Sequence, residues 1–254
     1  LGDVYKRQRL MASLRAHPLA LPPVFAFMYD ATWSAVYGMW DFAEALLGAA
    51  CHLEPSIAAF KLSAPHARAG VRYAGGNFGR PHRDYARAEA LDEAGAPRVL
   101  SVWLPLNDVS LSNGCMYVVP REHDSAYERA DEGSLAPDVP LAGVRALAPH
   151  CAGTLMAWNG NVVHWGSACE REGALDPRAS LALVFRRADA PADPAAPPIS
   201  RAAAQAMGTA ERLRLVAGAL HFFSAWYEVP KPLAALLREA GVGPTARTHA
   251  RGTD

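Results

Sequence analysis

Between residues 57 and 186 the chain repeats one theme: a short run rich in β-branched and aromatic residues, then a turn built from Gly, Asn, Asp or Pro. Residues 99–106 form the strongest such run, and Asn107-Asp108 and Ser112-Asn113-Gly114 punctuate the stretch after it. Residues 57–63, 71–74, 115–119, 153–158, 162–165 and 179–186 have the same character, with a further turn at Ala74-Gly75-Gly76-Asn77. Runs this short are too brief for helices, and their composition suits pleated, half-buried surfaces. Many short strands between turn signals predict a sandwich or barrel, the group to which jelly rolls belong.

The flanks read differently. Asp30 or Thr32 can cap a helix to about residue 50, with Trp33, Val36, Tyr37, Trp40 and Leu47 as its apolar stripe. Residues 85–97 form a polar excursion, a loop or lid, and 121–141 a charged connection containing proline. Residues 188–198 are a Pro/Ala-rich linker. Ser200 then caps a helical region to about residue 226, residues 231–240 make a last short helix, and the tail from Gly241 is expected to be disordered. Residues 1–8 resemble a translated sequencing adapter and are set apart. The organisation expected is a helix plus β core over 9–187, with 188–254 packed on the same domain.

Composition removes several function classes. Lys plus Arg and Asp plus Glu are each 25, so no charge excess points to nucleic acid or an anionic membrane. No apolar run reaches the length of a membrane span. Cys51, Cys115, Cys151 and Cys169 include no Cys-x-x-Cys pair. They are expected to be small buried apolar residues in a reducing, cytoplasmic setting.

Chemistry enters at Gly79-Arg80-Pro81-His82-Arg83-Asp84. In an extended segment residues i and i+2 share a face, so His82 and Asp84 project together. Imidazole and carboxylate suit a divalent iron better than thiolates or an all-oxygen cage do. Taken alone, most His-x-Asp pairs are ordinary hydrogen-bonded neighbours. His164 lies far downstream in Gly160-Asn161-Val162-Val163-His164-Trp165-Gly166, where, taken alone, a core histidine bonded to a carbonyl would be the plainer outcome. Arg178 and Ser180 open the following run and again share a face. A guanidinium fork with a neighbouring hydroxyl is a fitting clamp for a carboxylate, although an edge-strand Arg in a surface ion pair would be the plainer outcome.

The order His-x-Asp, strands, His, Arg-x-Ser resembles the Fe(II)/2-oxoglutarate oxygenases, and more narrowly the phytanoyl-CoA dioxygenase family. The segments Leu100-Ser101-Val102-Trp103-Leu104-Pro105-Leu106-Asn107-Asp108 and Ser112-Asn113-Gly114-Cys115-Met116-Tyr117-Val118-Val119-Pro120 carry the resemblance between the first two motifs. One departure is Pro120-Arg121-Glu122-His123, where that family commonly has Pro-Gly-Ser-His. The resemblance implies a double-stranded β-helix, a cupin-like jelly roll. It implies Fe(II) on His82, Asp84 and His164, and 2-oxoglutarate as cosubstrate with its far carboxylate on Arg178 and Ser180. It also implies oxidation of a small-molecule substrate by O2, with release of succinate and CO2. The carboxylate at Asp84 favours hydroxylation over halogenation, since related halogenases carry a small residue there. Ser101 is placed near the cosubstrate, and Arg80, Trp103, Trp158 and Asn161 are candidates for the substrate pocket. Asn77, Phe78, Arg83 and Asn159 lie beside motif residues, and Arg72, like Arg80, is a candidate to meet an anionic substrate, with a solvated Arg the plainer outcome. Two other readings stay open: a non-catalytic cupin-like module that binds a metal or small ligand, and a hydroxylase of protein side chains. The substrate and the oligomeric state are not legible.

Overall fold

The computed structural model describes residues 2–62, 81–129, 141–167, 169, 176–224, 226–227 and 229–242. Helices α1 (Gly2–Ala16) and α2 (Asp30–Leu47) flank a 3-10 turn at Pro23–Met28. Among the described residues the strands are β1 (Cys51–Leu53), β2 (Ala58–Lys61), β3 (Val99–Pro105), β4 (Met116–Val118), β5 (Arg145–Leu147), β6 (Met156–Asn159), β7 (His164–Gly166) and β8 (Ala179–Arg187). Short helix α3 (Arg87–Ala90) precedes β3, and α4 (Arg201–Ala206), α5 (Thr209–Phe222) and α6 (Lys231–Glu239) come last.

Among the described residues all strand pairings are antiparallel. The larger sheet runs β1-β8-β3-β6, with β2 sharing the β8 edge, and the smaller runs β5-β4-β7. Every residue of β3 is buried, so both faces of the larger sheet are covered. Alternation sorts its side chains. Leu100, Val102 and Leu104 join Leu181, Leu183 and Phe185 in a core with Trp33, Trp40, Val216 and Leu220 of the helices. The other face of β3 turns Trp103 toward Met116 of the smaller sheet, with Met156 and Trp158 packed alongside. The chemistry lies on that second face.

Helix α2 starts at Asp30 and ends where Gly48 takes a left-handed conformation (φ 64°), which glycine adopts without steric penalty. Its Trp40 ring meets Phe185 edge-on at 5.4 Å. The Ser200 hydroxyl caps α4 by accepting from the Ala203 amide, but Gly208 divides the helical stretch into α4 and α5. The Tyr227 hydroxyl accepts from the Ala59 amide and donates to the Ala59 carbonyl, which satisfies both polar groups on the outer edge of β2. Within α1, Arg7 donates to the Ala31 carbonyl.

Some details depart from expectation. The excursion at 85–97 contains α3, and the run after residue 141 supplies β5, whose Arg145 and Leu147 carry little apolar alternation. Cys51, Cys115 and Cys169 are buried, but Cys151 is exposed at the start of a surface turn. Residues 71–77 and the tail from 243 lie outside the described residues. Among the described residues, no helix is long and apolar enough to cross a membrane.

Candidate metal centre and cosubstrate clamp

His82 and His164 face each other as an antiparallel pair. The His82 amide donates to the His164 carbonyl at 3.1 Å, and the His164 amide donates back to His82 at 2.9 Å. Residues paired in this way put their side chains on the same side of the sheet, and the two rings lie 4.5 Å apart. His82 is in an isolated bridge rather than a strand, and the chain bends at Asp84. The bend does not separate the carboxylate from the imidazoles. The Tyr85 amide, bonded to the Gly160 carbonyl, anchors the bend to the turn that leads to His164. Asp84 Oδ1 lies 3.7 Å from His82 Nε2, and Asp84 Oδ2 lies 3.6 Å from His164 Nε2. One donor atom from each residue falls within 4.8 Å of the others.

His164 Nδ1 lies 3.0 Å from the Val162 carbonyl. A carbonyl only accepts, so Nδ1 carries the proton and the Nε2 lone pair faces Asp84 and His82. Burial pushes the imidazole pKa down to about 4, with His82 adding to the effect, while Asp84 and the Val162 bond oppose it. A neutral imidazole is the form that binds a metal. The Ser101 hydroxyl donates to Asp84 Oδ2 at 2.5 Å, and so orients the carboxylate.

A second buried pair lies behind the cluster, and the sequence carries no sign of it. Arg83, between the two motif residues, donates from Nη1 to the Asn161 carbonyl and from Nη2 to Asp124 Oδ1 at 2.9 Å. Its Nη1 is 2.7 Å from Asp124 Oδ2. Asn161 is itself fully buried and donates to the Tyr127 carbonyl. Arg83 and Asn161 therefore tie the His82–Asp84 segment to the turn before His164. No local pattern pairs Arg83 with Asp124, which sits just past the unusual Pro120-Arg121-Glu122-His123.

Arg178 is 2% exposed, yet no carboxylate among the described residues reaches it. Its Nη1 donates to the Gly114 carbonyl and lies 3.1 Å from the Met116 sulfur. Its guanidinium stacks 5.5 Å from the Trp103 ring. Burial lowers its pKa to about 10, with Cys169 and Cys115 opposing the shift. Its Nε and the neighbouring Ser180 hydroxyl are buried without partners among the described residues. The loop leading to Arg178 is held by Asn107 and Asn113. Both side chains donate to the Asp176 carbonyl, and Asn107 also accepts from the Ala179 amide. Asn113-Gly114 reads as a turn in sequence; Gly114 (φ 97°) takes a conformation that suits glycine. Gly166 leaves room for the Arg178 guanidinium, since a Cβ there would lie 3.3 Å from Arg178 Nη2.

The donor set and the orphaned groups together fit two absent partners. Two imidazoles and a carboxylate suit Fe(II). A buried, uncompensated guanidinium beside an unpaired hydroxyl suits a ligand carboxylate. Of the remaining sequence candidates, the Trp158 ring lies 4.9 Å from His164. Arg80 lies outside the described residues, as do Arg72, Asn77 and Phe78.

Several solved structures share this architecture. The epimerase SnoN, in complex with Fe3+, alpha ketoglutarate and nogalamycin RO, is 20% identical, with 76% of this chain and 77% of that one covered at a TM-score of 0.53. The non-heme monooxygenase ThoJ in apo form is 16% identical, with 87% and 92% covered at 0.53. EctD from S. alaskensis, with 2-oxoglutarate and 5-hydroxyectoine, is 20% identical, with 76% and 70% covered at 0.50. At these identities the likeness establishes a shared fold. No curated protein matches the chain. The family model for phytanoyl-CoA dioxygenase (PhyH) matches residues 39–170, over half of the sequence, and that span contains His82, Asp84 and His164. The chain belongs to the phytanoyl-CoA dioxygenase family.

Proposed function

We propose that this protein is an Fe(II)- and 2-oxoglutarate-dependent dioxygenase that hydroxylates a small molecule, releasing succinate and CO2. Its two facing sheets would be a double-stranded β-helix, with residues 9–187 and the C-terminal helices forming one catalytic domain. Fe(II) and 2-oxoglutarate are the cofactor and cosubstrate of the family. The observation that carries the reading is one shared interior. It holds the His82–Asp84–His164 cluster and also a buried Arg178 whose Nε, like the Ser180 hydroxyl, has no partner among the described residues.

In this reading His82, Asp84 and His164 hold the metal, and Arg178 and Ser180 grip the far carboxylate of the cosubstrate. Bound iron and 2-oxoglutarate supply the O2-dependent oxidation that side chains cannot perform. The protein's part is positioning. Ser101 fixes the Asp84 carboxylate, the Val162 carbonyl fixes the His164 tautomer, and Trp103 packs beneath the guanidinium. A binding module without turnover has no need of a second, buried carboxylate clamp, which favours the enzyme over that alternative. The free thiols of all four cysteines suit a reducing, cytoplasmic setting in which iron stays ferrous.

The test is anaerobic addition of Fe(II) and 2-oxoglutarate to the purified protein. A weak visible charge-transfer band is expected, followed by succinate release once O2 and a metabolite panel are supplied. Well-folded, iron-loaded protein that shows no band refutes the use of 2-oxoglutarate.

A further inference from the structure

Trp158 Nε1 is buried and has no hydrogen-bond partner among the described residues. An indole N–H only donates, and when buried it normally finds an acceptor. Leaving it unpaired costs stability that a phenylalanine at this position would not lose. The orphan is also not isolated. Trp158 stands directly opposite Ser101 in the β3–β6 pairing, and Ser101 stands opposite Val184 in the β3–β8 pairing. By alternation, Ser101, Trp103, Trp158, Ser180 and Ala182 line one face of the larger sheet. Along that wall Trp103 lies under Arg178, while Trp158 packs against the His164 ring and faces the residue bonded to Asp84. The unpaired Arg178 Nε and Ser180 hydroxyl thus mark one end of the wall, and the unpaired indole N–H marks the metal end.

We propose that Trp158 is a further cosubstrate-binding residue: its Nε1–H donates to an oxygen of the metal-end carboxylate of 2-oxoglutarate. The inference rests on the reading of this interior as a 2-oxoglutarate site. A ligand that spans the cluster and the clamp passes Trp158, whose donor is sealed from solvent by the same packing that buries it. The bond would select one orientation of that carboxylate, which plain aromatic packing does not do.

The experiment compares wild type, Trp158→Phe and Arg178→Ala as Co(II)-loaded protein, titrated with 2-oxoglutarate and with pyruvate. Pyruvate has the same 2-oxo-carboxylate end and no distal carboxylate. Trp158→Phe keeps an aromatic ring and removes the donor. It should weaken both ligands by the same factor, on the order of tenfold or more for a bond to a charged acceptor. The metal-free Trp158→Phe protein should unfold at the same denaturant concentration as wild type, or a higher one, because an orphan has been removed. Arg178→Ala should weaken 2-oxoglutarate and leave pyruvate unchanged. Affinity within twofold of wild type for both ligands in Trp158→Phe overturns the proposal, as does weakening confined to 2-oxoglutarate. Equal binding by wild type and Arg178→Ala overturns the cosubstrate reading instead. If Trp158→Phe does not fold, the Zn(II)-loaded wild type decides: the Trp158 indole proton resonance should move downfield on adding 2-oxoglutarate, and an unmoved resonance refutes the bond.

Discussion

His82 and His164 exchange two backbone hydrogen bonds, 3.1 and 2.9 Å long, so the main chain itself brings their imidazoles together. This arrangement does not depend on long flexible side chains. The rings are held by a single antiparallel bridge, and Asp84 reaches them from the bend just beyond His82. Ligands held on paired backbone would lose little entropy on binding a metal.

Removal of the carboxylate tests the cluster directly. Asp84→Ala is expected to abolish metal-dependent turnover and to bring Co(II) affinity near background in an absorbance titration. Ser101→Ala removes only the hydroxyl that orients Asp84, and is expected to weaken metal binding about 10- to 100-fold. Wild-type affinity in Asp84→Ala would exclude this residue as a ligand.

The Arg83–Asp124 pair makes a separate prediction about stability. Asp124→Ala leaves a buried guanidinium without its anion, a change that costs about 3–5 kcal/mol. Urea unfolding should show that loss, with a fall in metal affinity, because Arg83 also holds the Asn161 carbonyl in the turn before His164. A loss below about 1 kcal/mol would mean that the pair is more exposed to solvent than its packing indicates.

At the clamp, space can be tested as well as charge. Gly166→Val puts side-chain atoms where a Cβ alone would already lie 3.3–3.4 Å from the Arg178 guanidinium. The guanidinium is held by the Gly114 carbonyl and the Trp103 ring and has little freedom to yield. We expect the KM for 2-oxoglutarate to rise several-fold or more, with a smaller change in kcat, in a succinate-release assay. An unchanged KM would place the cosubstrate carboxylate away from Gly166.

The pH dependence originates in His164. Its folded pKa is lowered from 6.5 to about 4, chiefly by burial, so the unfolded chain takes up this proton first as pH falls. The contribution is complete above about pH 6.5, shrinks as pH falls, and is gone below about pH 4. Denaturant midpoints of metal-free protein at pH 7.5 and 4.5 should differ accordingly, and His164→Gln should flatten the difference. A slope that persists in His164→Gln would assign the effect to other groups.

Legibility differs sharply among elements. Residues 99–106 and 179–186 announce themselves as strands because composition and turn signals agree, and β3 and β8 occupy nearly those positions. Strand β5 is not readable: Arg145 is exposed, and its place comes from pairing with β4 rather than from its own pattern. Alternation sets His82 and Asp84 on one face only where the backbone is extended. The residues do converge, but through a bend pinned by the Tyr85 amide, a long-range bond with no local signal.

The sequence alone determined the residue types with metal and carboxylate chemistry, their order along the chain and the strand-rich frame between them, because these depend on local composition and period. Tertiary structure decided what those residues meet: His164 opposite His82, Ser101 bonded to Asp84, Arg83 paired with Asp124, and Arg178 buried beside Trp103 and Met116. Those relationships join residues far apart in the chain. They arise when two sheets close on one interior and each buried polar group must find its partner there.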